Sequence, residues 1–340
     1  MRRKGREKRL SRGRLEARLA QGQRYDVIRI FHDWRDLPPD ARGASVALGN
    51  FDGVHLGHAQ VIAAAHAARP DAPLAVLTFE PHPREVFRPD DPPFRLTPSA
   101  LRARLLGEHG VVLLYELRFD RAFSDLSADA FIGEVLAAGI GARHLACGPD
   151  FAFGHRRGGD VALLAARAEA LGIGLSIVPP LADAEGRISS SRIRRLLRDG
   201  YPERAQALLG RPFAIEGVVA HGDARGRLLG FPTANLPLGP VLEPARGVYA
   251  VRVALADGRE FGGVANLGRR PTLGGDPETR LEAHLFDFSE DIYGETISVS
   301  LIAYLREERK FPDLAALQAQ IAADAAAARA ALDRDRSAFA

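Results

Sequence analysis

An apolar run that breaks into a glycine-punctuated turn and then into good helix formers leaves a chain few ways to fold. Residues 44–68 have that form. Ala44 to Leu48 read as a buried strand, Gly49, Gly53 and Gly57 punctuate the turn after it, and 58–68 read as a helix. Strand, glycine-rich turn and helix together aim backbone N–H groups and the positive end of a helix at an anion. His55 and His58, three apart where the helix should start, share one face. Two imidazoles there suit a polyphosphate better than a metal, because no third ligand comes after them at a suitable spacing. Histidines beside a glycine turn also serve as plain turn or cap residues, so the rest of the chain has to decide.

Around this turn, short apolar runs alternate with helical ones. The pattern predicts strands at 26–31, 44–48, 74–79, 111–117, 144–147 and 175–178, with helices near 58–68, 99–109, 128–138 and 161–171. Thr97-Pro98 and Ser127 read as helix starts. Near-continuous apolar strands alternating with helices imply a doubly wound parallel sheet, in which ligands bind beyond the carboxyl ends of the strands. Three segments follow strand ends or open a helix: Thr78-Phe79-Glu80-Pro81-His82-Pro83, Gly148 to Asp160, and Ile188-Ser189-Ser190-Ser191-Arg192-Ile193-Arg194. Hydroxyls at a helix N-terminus leave donors free for phosphate, although serine is also an ordinary cap.

Beyond 199–211 the texture changes to short alternating strands at 213–220, 248–255, 260–266, 281–286 and 296–304, separated by glycine-rich turns. This suggests a small antiparallel barrel. An alanine-rich helix over 313–332 should pack on it through Leu314, Leu317 and Ile321. His221 to Gly230 is a glycine-rich loop with cations, suited to phosphate, and runs into Phe231-Pro232-Thr233-Ala234-Asn235-Leu236. Glu282 is a lone acid in an apolar strand, on the same face as His284.

The decamer Gly49-Asn50-Phe51-Asp52-Gly53-Val54-His55-Leu56-Gly57-His58 resembles the signature of nucleotidyltransferases related to class I aminoacyl-tRNA synthetases. More narrowly, it is similar to the adenylyltransferase half of prokaryotic bifunctional riboflavin kinase/FAD synthetases. The Pro232-Thr233-Ala234-Asn235 run resembles the riboflavin kinase motif, and both modules stand in family order over residues 25 to about 330. Serine at 191 replaces the family's usual threonine and keeps the hydroxyl. The resemblance implies a Rossmann-like adenylyltransferase domain (25–198), a linker (199–211) and a six-stranded antiparallel β-barrel kinase domain with a terminal helix (212–335).

In that family the first half makes FAD from FMN and ATP, releasing pyrophosphate, and the second makes FMN from riboflavin and ATP. The resemblance assigns His55 and His58 to catalysis. It places Gly49, Asn50, Phe51, Asp52, Gly57, Asp150, Arg157, Ser189, Ser190, Ser191 and Arg192 around the nucleotide. In the second half it gives Gly222, Arg225, Gly226 and Gly230 to phosphate, and Thr233 and Asn235 to an ATP-bound Mg²⁺. Glu282 becomes the general base toward the riboflavin 5′-hydroxyl, and Asn266, Gly268, Pro271, Thr272 and Arg306 border the flavin. Riboflavin, FMN and FAD are then substrates and products rather than fixed cofactors.

Composition narrows the setting. Hydrophobic residues make up 46% and charged ones 26% of 340 residues, ordinary for a globular chain long enough for two domains. No run approaches the ~20 apolar residues of a membrane span. Cys147 is the one cysteine, which excludes intrachain disulfides and makes a cytoplasmic location the expectation. Residues 1–24 hold ten Lys/Arg against Glu7 and Glu16, a net +8, and since the whole chain is +3, residues 25–340 carry −5. The basic arm is expected to be a solvated, disordered extension, with no nucleic acid or membrane partner, and the protein a monomer or weak homo-oligomer. Two rivals stay open: a tRNA-linked class I synthetase-like enzyme, which would bind tRNA without residues 1–24, and a non-catalytic flavin-binding protein, which would tolerate loss of Glu282.

Overall fold

The computed structural model describes the backbone of residues 28–221, 231–272 and 275–339, and the side chains within them except 270–278 and 336–339. The basic arm and the Gly222–Gly230 loop lie outside the described residues. The first half is a six-stranded parallel sheet in the order β1-β4-β3-β2-β5-β6. Its strands are β1 (Arg29–Phe31), β2 (Ser45–Leu48), β3 (Leu74–Glu80), β4 (Leu113–Arg118), β5 (His144–Cys147) and β6 (Gly174–Ile177). Alternation along the strands sorts their side chains to two faces. Ala47, Val76, Leu114 and Ala146 pack against Ile62 and Ala65 of α1 (Leu56–Ala68) and Leu101, Leu105 and Leu106 of α3 (Ser99–Glu108). A five-residue helix, α2 (Pro83–Phe87), precedes α3. Val46, Leu48, Leu77, Tyr115 and Cys147 go the other way, against α4 (Phe131–Gly139) and α5 (Val161–Ala170). Both faces are covered, which is why these strands read as nearly continuous apolar runs.

Two local features differ from expectation. Helix α4 is wound with i→i−5 bonds, as in Ile140 N–H to the Val135 carbonyl at 2.9 Å. Ser127 does cap the turn before it, accepting from Ala130 N–H, but Thr97 does not cap α3. Its hydroxyl takes the N–H of Gly53 instead, a bond across 44 residues.

From β2 the chain winds through α1 to β3 on one side, whereas β5 leads on to β6 on the other. The loops leaving β2 and β5 therefore diverge and open a crevice at their carboxyl ends, the switch point where such sheets bind ligands.

A small hairpin, β7 (Ala182–Asp183) and β8 (Gly186–Arg187), leads into α6 (Ser190–Arg198) and α7 (Pro202–Leu209). The second half is a six-stranded antiparallel sheet, β10-β13-β12-β11-β14-β9, nearly closed by a bridge between Ala220 and Asn235. Its strands are β9 (Phe213–Val218), β10 (Ala234–Pro237), β11 (Gly247–Ala254), β12 (Glu260–Thr272), β13 (Gly275–Leu285) and β14 (Thr296–Arg306). Periodicity missed β10, since four residues behind Pro232-Thr233 offer little alternation to read. Tyr249, Val251, Leu267, Leu281 and Leu301 fill the interior, and Leu196, Leu197, Leu208 and Leu209 of α6 and α7 belong to the same core.

The last helix, α8 (Leu314–Phe339), covers Val248, Val264, Phe286 and Ile302 on the outer face. It does so through Ala328, Ala331 and Leu332, while Leu314 is 58% exposed. The expected contact through Leu314, Leu317 and Ile321 is thus replaced by Ala328, Ala331 and Leu332 further along, with Leu317 and Ile321 only half-buried and outside that cluster. No described helix is long and apolar enough to cross a membrane.

Candidate functional site

The crevice holds a cleft of about 950 Å³ lined by the turn after β2, the loop after β5, α2 and the start of α6. His55 is the N-cap of α1. Its Nδ1 accepts the N–H of His58 at 3.2 Å, and His58 Nδ1 accepts the N–H of His55 at 3.3 Å. The rings stack 3.6 Å apart, 13° from parallel, and His58 leans on Phe51. A Cβ on Gly57 would press on the His55 ring at 3.1 Å, so a side chain there would push against the stack. Each Nδ1 accepts an amide proton, so each ring proton sits on Nε2 and that N–H is free to donate. Burial pushes His55 down to about 4 and His58 well below its ordinary value. Both imidazoles are therefore neutral donors at pH 7, not cations.

Positive charge comes from elsewhere. Arg84, Arg88, Arg156, Arg157, Arg187 and Arg194 line the cleft. Arg156 and Arg157 sit at φ 53° and 59°, an unusual left-handed pair. Arg187 forks onto Asp150 at 2.8 and 3.1 Å and lowers the Asp150 pKa. Asp150 thus faces the cleft already paired. The α6 N-terminus contributes Ser189, which caps by accepting from Arg192 N–H, and Ser190, which donates to the Asp52 carbonyl at 2.8 Å. Ser191 is exposed toward the cleft. Arg192 does not line it: its guanidinium holds Asp183 and Glu185 of the β7–β8 hairpin at 2.7 and 2.8 Å. Arg194, two residues on, takes the place expected of Arg192.

Asp52 is 2% exposed and fully engaged. Its carboxylate accepts the N–H groups of Leu96 and Thr97 and pairs with Arg194 at 2.5 Å. It lines the cleft but acts as a brace between the turn, 96–97 and α6. Beneath the turn, fully buried Arg102 pairs with Glu80 and Glu116 at 2.8 and 2.7 Å and reaches the Asn50 carbonyl at 3.4 Å. Asn50 itself is exposed, and Gly49 packs against Phe51. The cleft floor is aromatic, with Phe79, Phe94, Phe119, Phe123, Phe151 and Phe153. His82 also lines it, pushed down to about 4 by burial with Arg95 and Arg194 adding to the shift. Among these, Arg187 and the buried Arg102 pairing had no clear signal in the sequence, whereas His82 stood within a strand-end segment and Arg194 within the segment read as a phosphate-facing helix start.

In the barrel the candidate residues form a row across neighbouring strands. Glu282 on β13 is in register with Asn235 on β10 and with Asn266 on β12. Asn266 in turn faces Val248, and Val248 faces Arg306. Residues directly opposite in an antiparallel pair share a face, so the row lies on the outer surface that α8 partly covers. Asn235 is buried and its amide N–H donates to the Thr233 carbonyl at 3.3 Å. His284, on the face of Glu282, bonds the Pro232 carbonyl at 2.8 Å and stacks edge-on with Phe231, fixing the segment that carries Thr233. Asn266 donates to Glu308 at 3.1 Å, and a Cβ on Gly268 would strike Glu308. Arg306 grips Asp324 of α8 at 2.6 Å. Pro271 and Thr272 stand on β12, with Thr272 opposite Gly275, and their side chains are outside the described ones. Gly222, Arg225, Gly226 and Gly230 lie outside the described residues altogether.

Among the described residues no group of three or more His, Cys, Asp or Glu could hold a metal alone. Asn235, in register with Glu282, and Thr233, two residues before it, carry neutral oxygens of the kind that suits Mg²⁺, which keeps few protein ligands and shares the rest with phosphate and water. Cys147, buried and raised to about 11, is no nucleophile.

Comparison with known proteins agrees with both halves. The FAD synthetase family model matches residues 37–192 and the riboflavin kinase family model residues 209–332. The bifunctional riboflavin kinase/FMN adenylyltransferase of Escherichia coli K12 is 41% identical over 89% of this chain and 96% of its own length. That of Bacillus subtilis is 36% identical over 88% and 95%. A solved Streptococcus pneumoniae structure, described as a macrolide-efflux protein, is 34% identical over 88% of this chain and 97% of its own, with a TM-score of 0.78. With both family models matched in order and about 40% identity along nearly the whole length of such relatives, the chain belongs to the bifunctional riboflavin kinase/FMN adenylyltransferase family.

Proposed function

We infer that this protein phosphorylates riboflavin to FMN in its barrel and adenylates FMN to FAD in its parallel-sheet half. The observation that carries the reading is the coexistence, in one chain, of an intact histidine stack over a basic cleft and an intact Asn235–Glu282–Asn266 row.

In the first site an FMN phosphate oxygen attacks the α-phosphorus of ATP, and pyrophosphate leaves. No protein nucleophile is needed, so catalysis is alignment plus stabilisation of phosphoryl charge. The Nε2–H groups of His55 and His58 supply neutral donors, the α6 N-terminus with Ser189 to Ser191 adds hydroxyls and amides, and Arg157, Arg187 and Arg194 add charge. Gly49, Asn50, Phe51 and Gly57 shape the turn, with Asp52 as its brace and Asp150 at the nucleotide edge. The aromatic floor suits a planar flavin ring.

In the second site Glu282 accepts the proton of the riboflavin 5′-hydroxyl as that oxygen attacks the γ-phosphorus of ATP and ADP leaves. Thr233 and Asn235 would hold Mg²⁺, which when bound neutralises triphosphate charge. Asn266, Gly268, Pro271, Thr272 and Arg306 border the flavin side, and the Gly222, Arg225, Gly226 and Gly230 loop the phosphates. The division near 199–211 belongs to this reading, supported by family matches that end at 192 and resume at 209. A cytoplasmic location fits the lone buried thiol.

The test is one incubation of protein with riboflavin, ATP and Mg²⁺, with products separated over time. FMN first and FAD later is the expected result. FMN without FAD would assign the first half another substrate, and neither product would refute the reading.

A further inference from the structure

Arg211 lies just past α7, at the join of the two halves, and its guanidinium points back into the first half. Nη2 donates to the Gly53 carbonyl at 2.8 Å, and Nη1 to the Val54 carbonyl at 3.1 Å and the Leu209 carbonyl at 3.4 Å. Its hydrogen-bond partners among the described residues are thus backbone carbonyls alone. Gly53 and Val54 are the two residues before the histidine cap, at φ 89° and 39°. A β-branched residue rarely adopts positive φ and does so here only because neighbours over-determine it.

The Val54 carbonyl and the His55 N–H belong to one rigid peptide plane. Arg211 holds the oxygen end at 3.1 Å, and His58 Nδ1 accepts from the nitrogen end at 3.3 Å. Fixing the oxygen therefore fixes the direction of the N–H that selects the His58 tautomer and aims its Nε2–H. Gly210 closes α7 at φ 77°, and a Cβ there would strike Leu56 of α1 at 2.8 Å, so the join is seated closely on the same turn. A crevice lined by Gly53, Leu101, Glu108, Arg211 and Phe213 flanks the guanidinium.

We propose that Arg211 is a positioning residue for adenylyl transfer: from the join with the barrel it clamps the Gly53 and Val54 carbonyls and thereby orients the His55–His58 pair. The proposal rests on the assignment of adenylyl transfer to the histidine cleft. The barrel's own reaction, measured in the same chain, is its internal control.

Arg211→Ala and Arg211→Lys are assayed for FAD formation from supplied FMN and ATP, and for FMN formation from riboflavin. Expected for Arg211→Ala is a fall of about tenfold or more in kcat for FAD with KM for FMN and ATP within about threefold, and kinase turnover within about twofold. Arg211→Lys, a point donor unable to fork, falls between the two. Added methylguanidinium, which fits the emptied crevice, restores part of the Arg211→Ala rate and none of the wild-type rate. Arg104→Ala, which removes the ion pair from Arg104 to Glu216 across the same join, leaves FAD formation unchanged. The proposal is overturned if Arg211→Ala keeps its kcat, if both activities fall together with the melting temperature and no guanidinium rescue, or if Arg104→Ala costs as much. If wild-type protein forms no FAD, the assignment of the cleft has failed rather than the clamp.

Discussion

The two candidate sites are built by opposite means. In the first half, two histidines three apart in sequence depend on partners far away: Asp52 ties the turn to 96–97 and Arg194, and Arg211 holds the carbonyls before the cap. In the barrel, Asn235, Glu282 and Asn266 are far apart in sequence, and plain strand pairing sets them side by side. A local motif held by long-range bonds should be sensitive at its braces. A long-range row held by a ladder should be sensitive only at the row.

The largest effects come from attacking each site directly. Glu282→Gln should cut FMN formation by about 10²–10⁴-fold while FAD formation from supplied FMN persists. His58→Ala should cut FAD formation by about 10²–10³-fold and let FMN accumulate. Equal loss of both products in either variant would mean that the sites are not separable as drawn.

Next is the brace. Asp52→Ala leaves Arg194, 14% exposed, without its carboxylate, and should destabilise the first half by about 3 kcal/mol, as removal of one partner of a buried pair does. Thermal unfolding should then show an early transition with kinase activity outlasting adenylyl transfer. An unchanged melting profile would show that the turn does not depend on this brace.

A moderate effect comes from neutrality of the histidines. With His55 at about 4 and His58 depressed as well, neither imidazole should titrate near its ordinary value of about 6.5, so any change in adenylyl transfer between pH 8 and 6 should follow the FMN and ATP phosphates, whose second ionisation lies at about 6. Because these folded pKa values lie below the unfolded one, the stability contribution is full above about 6.5 and declines as pH falls from there toward 4. NMR titration of the imidazoles and melting profiles in the same buffers check both. An imidazole of either histidine that titrates near 6.5 in the folded protein would overturn the neutral assignment.

The smallest effect is expected at Arg192. Its side chain is 9% exposed, but its partners Asp183 and Glu185 remain solvated when it is removed, so Arg192→Ala should cost about 1–2 kcal/mol and change the FAD rate by less than threefold. Arg194→Ala, by contrast, should fall with Asp52→Ala. A larger loss for Arg192 than for Arg194 would put the phosphate charge back where the motif alone suggested.

Much of the fold is legible in the sequence. Every strand of the parallel sheet lies within a few residues of its expected place, since buried strands announce themselves by composition, and the histidine turn lies at the cleft. The features that escaped depend on partners distant in sequence. Thr97 reads as a cap because threonine before proline usually is one, yet it bonds Gly53. Strand β10 escaped because its pairing with β13, not its own pattern, makes it a strand. Periodicity points the terminal helix at the sheet through Leu314, because large apolar residues outweigh alanines in such an argument, although the sheet packs against Ala328 and Ala331.

By itself the sequence determined the features that short-range physics controls: the helix start at His55, the turns that need glycine, the alternation that divides parallel sheet from barrel, and two family signatures in order. Only the tertiary structure decided between Arg192 and Arg194. Two residues apart on a helix lie about 200° apart around its axis, so one faces the cleft when the other faces away. Burial of Ile193, Leu196 and Leu197 selects which. The same holds for the row at Glu282: alternation puts it on a face, but only strand register puts Asn235 and Asn266 beside it, because register is a choice between distant segments that neither contains alone.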